Sequence, residues 1–462
     1  MRVRLNTSYI RLKMTLLEDD SPPKILICAT LWWPSSARLA MAFLRHHCKV
    51  TALCPKGHPL RFVRGIDTIY DYQGLTSIRL LRAAIRAAKP TLIVPCDDVA
   101  VWQLQALHAS ETDLRPLIEL SIGAAAAYPL IQHRAEVLRV AQSLGVRVPL
   151  TCALNSAEDL KDWKFDKPAV LKMDGTWGGE GVTVVHSRTE AIQTFHAAPD
   201  SMKTWRAWKR YVVNRHYFAF WTWGRRETSK MTIQQFIPGR PATTMFACWR
   251  GEVLASSTVE VLISQAPTGA ANVVRVIKHD EIENAVRLLA RKLQLSGFHG
   301  LDFVLEQDTE AAYLLELNPR ATQLGHLNLS VHGDLAGVMA GKLKNEAPRI
   351  SSESEILNGT IAFFPHAFKT NPDSVYLHQG YHDVPWEQPA LVRELLGKSW
   401  PERQWQGRLY GYLSSHSTSL HRQPDSLRAN SGSRVGSYDT PAKLPKTPGH
   451  GLQDDAIQRA PG

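Results

Sequence analysis

Residues 300–320, GLDFVLEQDTEAAYLLELNPR, constrain the fold most, because they predict a β-hairpin with acidic side chains on one face. The stretch GLDFVLE has the alternation of a strand, QDTEA is a polar turn, and AYLLELN is the returning strand. A turn centred near Thr309 places Asp302 opposite Glu316, and directly opposed residues have Cβ atoms roughly 4.5–5.5 Å apart. Asn318 lies two residues after Glu316 and therefore shares its face.

The composition of this face predicts a metal site. Two close carboxylates repel each other unless a cation lies between them, and hard oxygen ligands select Mg²⁺ or Mn²⁺. We therefore expect Asp302, Glu316 and Asn318 to be the metal ligands. Arg320, at the end of the same strand, supplies donors for a phosphate or another oxyanion. The alternative is an exposed hairpin with solvated carboxylates, and the leucines of the returning strand argue against it.

A glycine-rich turn between two predicted strands lies upstream, in AVLKMDGTWGGEGVTVV at 169–185. One strand ends near Lys172 and the next begins at Val182. Glycines allow backbone N–H groups to approach phosphate oxygens closely, and Lys172 would add a positive charge. The glycines of this loop are Gly175, Gly178, Gly179 and Gly181. Alone, the motif fits a flexible hairpin better than a phosphate site, but its position before the acidic hairpin reverses that interpretation and favours phosphate binding.

A third motif, MTIQQFIPGRPA at 231–242, is an apolar strand that runs into a Pro-Gly turn. It is typical of a hinge between two subdomains. An adenine ring would lie against Phe236 and Ile237 and bond to the local backbone. In isolation, an ordinary strand and turn would explain the pattern.

The order of these motifs resembles the ATP-grasp superfamily of carboxylate–amine ligase-like proteins. A lysine and a glycine loop precede a hinge strand, and an aspartate and the pattern E-x-N-x-R follow, over roughly 121–345. The segment at 24–120 looks like the domain that commonly precedes this core. The resemblance implies two α+β subdomains that clamp ATP. It also implies an ADP-forming ligase that activates a carboxylate as an acyl phosphate for attack by an amine.

The resemblance also assigns roles to positions of this chain. Phosphate binding falls to Lys172 and the glycine loop, and catalysis to Lys172 and Arg320. The adenine hinge comprises Gln235, Phe236 and Ile237. The Mg²⁺ ligands are again Asp302, Glu316 and Asn318. Arg134 stands where many members have a nucleotide-binding lysine, which keeps the charge and changes the shape.

Residues 24–120 alternate between short apolar runs and helical segments. KILICAT, KVTALCP and TLIVPCDD predict buried strands, which favours a parallel α/β sheet. The first strand-to-helix turn, TLWWPSSA, lacks G-x-G-x-x-G and does not support a dinucleotide site. The predicted organisation is a flexible leader at 1–23, an α/β domain at 24–120, an α+β ATP-grasp domain at 121–345, a small C-terminal cap at 346–413, and a disordered tail at 414–462.

Charge and composition limit the partners. The net charge of +11 permits acidic ligands, but it is spread along the chain, so direct nucleic-acid binding is not expected. The basic aromatic stretch at 201–230 keeps an RNA- or tRNA-linked function open, and an ATP-binding protein without ligase activity is the other alternative. The expected partners are a small-molecule carboxylate and an amine. Further polar candidates are Arg275, Thr322, Gln323 and His326.

The six cysteines have no C-x-x-C spacing, so neither a zinc site nor a disulfide framework is predicted. They are interpreted as buried thiols in a reducing cytosol. The N-terminal stretch has no continuous apolar segment of a signal peptide, and no apolar run is long enough to cross a bilayer. We therefore expect a cytoplasmic protein without a membrane partner, whose oligomeric state the sequence leaves open.

Overall fold

The computed structural model of the protein describes residues 21–173, 181–197, 231–265, 269–347, 359–398 and 403. Several predicted features lie outside these residues. They are the greater part of the leader, the glycines Gly175, Gly178 and Gly179, the basic aromatic stretch at 201–230, and the tail at 414–462.

The first sheet consists of four parallel strands in the order β3-β2-β1-β4. They are Lys24–Cys28 (β1), Lys49–Cys54 (β2), Thr68–Asp71 (β3) and Leu92–Pro95 (β4). Its helices are Pro34–Arg45 (α1), Ser77–Ala88 (α2), Asp98–Ser110 (α3) and Arg115–Ile122 (α4). The predicted parallel α/β sheet is thereby confirmed. The winding reverses between β1 and β4, so the carboxyl ends of these two strands border a topological switch point.

Two further helices lead from the first sheet to the next, Tyr128–Ile131 (α5) and Arg134–Ser143 (α6). The apolar spacing predicted for α6 is present, because Val137, Leu138 and Ala141 are all buried. The chain turns at Gly145, which has a positive φ of 80° that suits glycine.

The second sheet is antiparallel, in the order β5-β8-β6-β7. Its strands are Thr151–Leu154 (β5), Ala169–Met173 (β6), Val182–Val185 (β7) and Met231–Gln235 (β8). Helix Arg188–Ala197 (α7) follows β7. This sheet has its own small core, which includes Leu171, Ile233 and Trp163. Residues from the predicted glycine-loop hairpin and from the predicted hinge strand are therefore neighbours in one sheet.

The third sheet has seven strands in the order β13-β12-β9-β10-β11-β14-β15. They are Gly239–Trp249 (β9), Glu252–Ser264 (β10), Ala271–Val276 (β11), Gly297–Glu306 (β12), Ala312–Asn318 (β13), Thr360–Phe363 (β14) and Tyr381–Asp383 (β15). The remaining helices are Asp280–Leu293 (α8), Leu335–Leu343 (α9), His366–Thr370 (α10), Tyr376–Gln379 (α11) and Pro389–Leu396 (α12). The segment expected as a small cap thus contributes β14 and β15 to one edge of this sheet.

The first and third sheets share one hydrophobic core. A single buried cluster contains Ile25 and Ile27 of β1 together with Met245 and Ala247 of β9. Burying an isoleucine or methionine side chain stabilises a fold by about 1.5–3 kcal/mol, so each of the two sheets stabilises the other. The combination of a parallel sheet with an α+β ATP-grasp arrangement agrees with the predicted fold class.

Five of the six cysteines are buried as free thiols, but Cys152 on β5 is exposed, which corrects the prediction for that residue. In the described ranges, no single helix has the length and hydropathy of a membrane span. Two helical segments, 112–122 and 125–131, meet these two criteria when they are taken together, by length and composition only. They are bent at the break between them.

Candidate active site

The β12–β13 hairpin places Asp302 directly opposite Glu316, as the alternation of the sequence predicted. Gly300 pairs with Asn318 in the same ladder, and the register shifts just after Asp302. The Nδ2 group of Asn318 donates to Oδ2 of Asp302 over 2.9 Å. The three residues expected to bind a metal therefore lie together on the hairpin.

Asp302 receives a second hydrogen bond from a residue that the sequence analysis missed. Thr243 lies opposite Asp302 on β9, and its Oγ1 donates to Oδ1 of Asp302 over 2.7 Å. Burial, and next the charge of Glu316, raise the pKa of Asp302 to about 6, although the two hydrogen bonds oppose the rise. The repulsion between the two neighbouring carboxylates thus contributes to the raised pKa of Asp302.

Glu316 is stabilised as a carboxylate by Arg134, the first residue of α6. Nε and Nη2 of Arg134 both donate to Oε2 of Glu316, over 3.2 and 2.7 Å. Burial alone would raise the pKa of Glu316, but the charges of Arg134 and Lys172 outweigh it and lower the pKa to about 2. The Glu316 side chain is 31% exposed, so contact with solvent also favours the charged form of its carboxylate.

Lys172 enters the same site from the end of β6, in the second sheet. Its side chain is buried, and burial lowers the pKa of Lys172 to about 8, while Glu316 acts in the opposite direction and Arg134 reinforces the decrease. Two basic residues from separate elements thus face the acidic hairpin. The structure thus brings both residues close to the hairpin, and their roles remain proposals.

Arg320 connects the hairpin with the switch point of the first sheet. Its Nε donates to Oδ2 of Asp98 over 3.0 Å, and its Nη2 donates to Oδ1 of Asn318 over 3.3 Å. The next residue, Ala321, donates its backbone N–H to the carbonyl of Pro95 at the end of β4. Ligands of open α/β sheets bind at such switch points, so Arg320 stands where a substrate is expected.

The hinge residues follow β8 and lead directly into β9 of the third sheet. The N–H groups of Gln235 and Phe236 donate to Leu150 and Pro168 respectively. No acceptor for the N–H of Ile237 occurs among the described residues, and the Phe236 side chain is 36% exposed. These features suit an adenine ring that bonds to the backbone and contacts an aromatic side chain.

The Pro-Gly turn of the hinge requires glycine at position 239. A Cβ atom at this position would lie 2.0 Å from the carbonyl oxygen of Leu305, so only glycine permits this approach of the two strands. Gly181 is the only glycine of the predicted loop that falls within the described residues. It has a φ of +73°, and its carbonyl accepts from the N–H of Met173, which closes the base of the loop.

Other candidates occupy different settings. Arg275 pairs with the buried Glu260 over 3.1 Å, and Arg240 binds the same carboxylate. His326 is buried and pairs with Asp383 over 2.8 Å. The described ranges hold no group of three or more His, Cys, Asp or Glu able to bind a metal, so the hairpin set depends on an amide as its third ligand.

The comparisons with known proteins agree with this architecture. The family model described as the ATP-grasp domain matches residues 214–323. A search of curated proteins finds no match.

Solved structures show the same fold. N5-carboxyaminoimidazole synthetase from Staphylococcus aureus, complexed with ADP, superposes with a TM-score of 0.53 at 14% identity, over 75% of this chain and 83% of that one. L-amino acid ligase from Bacillus licheniformis gives 0.51 at 17%, over 74% and 80%. The biotin carboxylase domain of Hydrogenobacter thermophilus 2-oxoglutarate carboxylase, with MgADP and bicarbonate, gives 0.52 at 14%, over 73% of each chain.

These likenesses identify the fold. The chain has the ATP-grasp fold, with a parallel α/β sheet before it, and the resemblance indicated by its motifs is confirmed.

Proposed function

We propose that the protein is an ATP- and Mg²⁺-dependent ligase that activates a carboxylate as an acyl phosphate and joins it to an amine, with release of ADP and phosphate. One observation carries the proposal: Asp302 and Glu316 face each other on one hairpin, with Arg134 and Lys172 directed at the same place. The fold supports it, since the similar solved structures include proteins described as ligases and proteins complexed with ADP.

The hairpin residues fit a small hard cation. They offer two opposed carboxylates and an amide, which are the oxygen donors that Mg²⁺ or Mn²⁺ prefers. The raised pKa of Asp302 reflects carboxylate repulsion as well as burial, and a cation would relieve that repulsion. Asp302, Glu316 and Asn318 would hold the ion, which would neutralise charge on the nucleotide phosphates.

The basic residues would bind and orient the phosphates. Lys172 and Arg134 approach the hairpin from the second sheet and from α6, so they bracket the position of a triphosphate. Arg320, fixed by Asp98, would stabilise the charge that develops on the transferring phosphoryl group. Phosphoryl transfer depends mainly on positioning and charge neutralisation, which these side chains supply.

The hinge would bind the base of the nucleotide. The N–H of Ile237 would donate to the adenine ring, and Phe236 would cover one of its faces. The glycine loop would complete the phosphate site. Residues 174–180 lie outside the described part of the chain, so this assignment depends on the sequence.

The experiment is an ADP-release screen with ATP, Mg²⁺ and pairs of small carboxylates and amines. We expect ADP and phosphate only when both partners are present, and loss of about a thousandfold or more in Glu316→Ala, as for removal of a major charge-stabilising group. Glu306→Ala, on the same hairpin, is the matched control. Equal turnover by Glu316→Ala and the parent protein would refute the metal assignment.

The two alternatives give different results. An ATP-binding protein without ligase activity would bind ATP tightly and release no ADP in any substrate pair. An RNA-linked function through the stretch at 201–230 would show RNA binding that weakens steeply with salt. The cytoplasmic location and the identity of the substrates stay predictions.

A further inference from the structure

A small cavity at the amino end of α1 is separate from the hairpin site. It has a volume of about 20 Å³, and its walls include Trp33, Arg38, Gln323, His326 and His366. Three parts of the fold meet there: the start of α1, the segment that follows Arg320, and the edge formed by β14 and β15. A volume of this size admits one water or the oxygen atoms of a small polar group.

The start of α1 borders this cavity, and because Pro34 has no N–H, the first amides of the helix begin at Ser35. Trp33 is the N-cap residue and makes no side-chain cap, and the first turn contains no acidic residue. The first amides of a helix have no partner within it, and the amino end carries a partial positive charge. A helix end is common in proteins, so this feature alone would not define a site.

The side chains of the cavity provide independent support. Arg38 is only 5% exposed, yet no described residue accepts a hydrogen bond from its Nε. The same holds for the buried Nε1 of Trp33, and no described residue bonds to the buried Nε2 of His366. Buried donors without acceptors are rare and destabilising, so the occurrence of two of them, on Arg38 and Trp33, in the walls of one cavity indicates a ligand that accepts hydrogen bonds.

The acidic groups near the cavity are already engaged. Asp383 accepts from Nη2 of Arg38 and pairs with Nε2 of His326. Glu387 is 56% exposed and lies 3.9 Å from Nη1 of Arg38. These contacts engage Nη1 and Nη2 of Arg38, and among the described residues its Nε stays without an acceptor in the wall of the cavity. The donors and the helix end then determine which ligand binds.

We propose that this cavity binds a carboxylate group through Nε of Arg38, Nε1 of Trp33 and the first amides of α1. A carboxylate offers two acceptor oxygens to these donors, and it is smaller than a phosphate group, which has three terminal oxygens. The site is built from α1 and the edge strands, and neither contributes to the acidic hairpin.

The position of the cavity suggests which substrate carries this carboxylate. Gln323 lines it only three residues after Arg320, and Ala321 is bonded to Pro95 at the switch point. Under the proposed function the carboxylate to be activated reacts beside Arg320, so we assign the carboxylate bound in the cavity to the other substrate. This assignment rests on the proposed function. The acceptor is then an amine that also bears a free carboxylate, such as an amino acid.

Binding is tested without ATP, with acetate as the probe. The melting temperature of the full chain is measured from about 1 to about 100 mM acetate, against chloride at equal ionic strength. We expect a saturable stabilisation by acetate. Trp33→Phe keeps the ring and removes the donor, and it should weaken acetate binding about tenfold, the value of one good hydrogen bond. Trp386→Phe, at a side chain that is 72% exposed, is the matched control.

Each outcome decides the proposal. No stabilisation beyond that of chloride, or equal binding by Trp33→Phe and the parent, would overturn the site. Tighter binding of inorganic phosphate than of acetate would overturn the carboxylate assignment. Trp33→Phe should melt near the parent temperature in chloride, and Arg38→Lys provides a second variant with the same expected loss.

The acceptor assignment is tested separately by ADP release with an amino acid and with its amide. The acid should be the better acceptor, and Trp33→Phe should lower kcat/KM for the acid alone. Equal use of acid and amide would reject that assignment. If the ligase proposal itself is wrong, ADP release is absent while acetate binding persists, so the two failures are distinguishable.

Discussion

Arg320 donates from Nε to Oδ2 of Asp98 over 3.0 Å, which joins the end of the acidic hairpin to the first turn of α3. Asp98 follows the last strand of the first sheet, and Arg320 follows the last strand of the hairpin. The Arg320 side chain is 18% exposed, so its orientation is set by this partner and by Asn318. The first sheet thus positions a residue of the proposed phosphoryl site.

Replacing Asp98 with asparagine should impair turnover more than ATP binding. Loss of the charge leaves Arg320 less firmly oriented, and small misplacements of a catalytic group cost up to about a hundredfold in rate. We expect kcat for ADP release to fall about tenfold or more, with KM for ATP little changed. Asp308→Asn, on the exposed hairpin turn, serves as the control. An unchanged kcat would show that Asp98 does not position Arg320.

Replacing Thr243 with valine should weaken the metal site. The change removes the 2.7 Å hydrogen bond to Asp302 and keeps the shape of the side chain. Partners of metal ligands typically contribute about 10- to 100-fold in metal affinity. The Mg²⁺ concentration for half-maximal ADP release should therefore rise by about tenfold. Thr309→Val is the control, and an equal Mg²⁺ requirement in both variants would contradict the contact.

Arg134 should tolerate lysine better than methionine. Both of its hydrogen bonds to Glu316 go to one oxygen, Oε2, so a single lysine ammonium can retain the charge interaction. We expect Arg134→Lys to keep ATP turnover within about tenfold and Arg134→Met to lose considerably more, since charge-assisted bonds are the stronger ones. Steady-state kinetics with varied ATP would separate the two. Equal losses in both variants would mean that the shape of the guanidinium is what matters.

His58 should make the protein sensitive to mild acid. It is buried, Nε2 donates to the carbonyl of Leu31, and Nδ1 accepts from the N–H of Leu60, so the ring is neutral. Burial lowers its pKa to about 3, below the unfolded value of about 6.5, so the unfolded chain binds more protons as the pH falls. Stability is therefore full above about pH 6.5 and falls toward pH 3, with about 2 kcal/mol lost by pH 5.

The test is urea unfolding of His58→Asn at pH 7 and pH 5. Asparagine can still accept from Leu60, but it does not titrate, so the loss between the two pH values should shrink by about 2 kcal/mol. The exposed His196→Asn should leave that loss unchanged. Identical pH dependence in His58→Asn and the parent protein would rule out this source of acid sensitivity.

The sequence could predict the acidic hairpin because its information is local. Alternation within one strand and the position of one turn determine that Asp302 faces Glu316. Three strands of the first sheet, β1, β2 and β4, were equally accessible, since their apolar runs are buried on both faces. The partly exposed edge strand β3 has no such run and was not predicted. The predicted position of Lys172 and Arg134 near the hairpin came from the family resemblance rather than from their own surroundings.

The contacts missed by the sequence analysis all join distant segments. Thr243 meets Asp302 only because β9 lies beside β12, and Asp98 meets Arg320 across 222 residues. Arg38 and Asp383 are 345 residues apart. The order of strands in a sheet is set by tertiary packing, so a single chain without an alignment contains no direct signal for such partners.

The core shared by Ile27 of the first sheet and Ala247 of the third has a consequence for protein engineering. A chimera that exchanged the first hundred residues for those of another protein with the ATP-grasp fold would have to match the apolar side chains of this shared core. Substitutions along the rim of the first sheet are therefore a more accessible way to alter the proposed acceptor site than transplantation of the whole module.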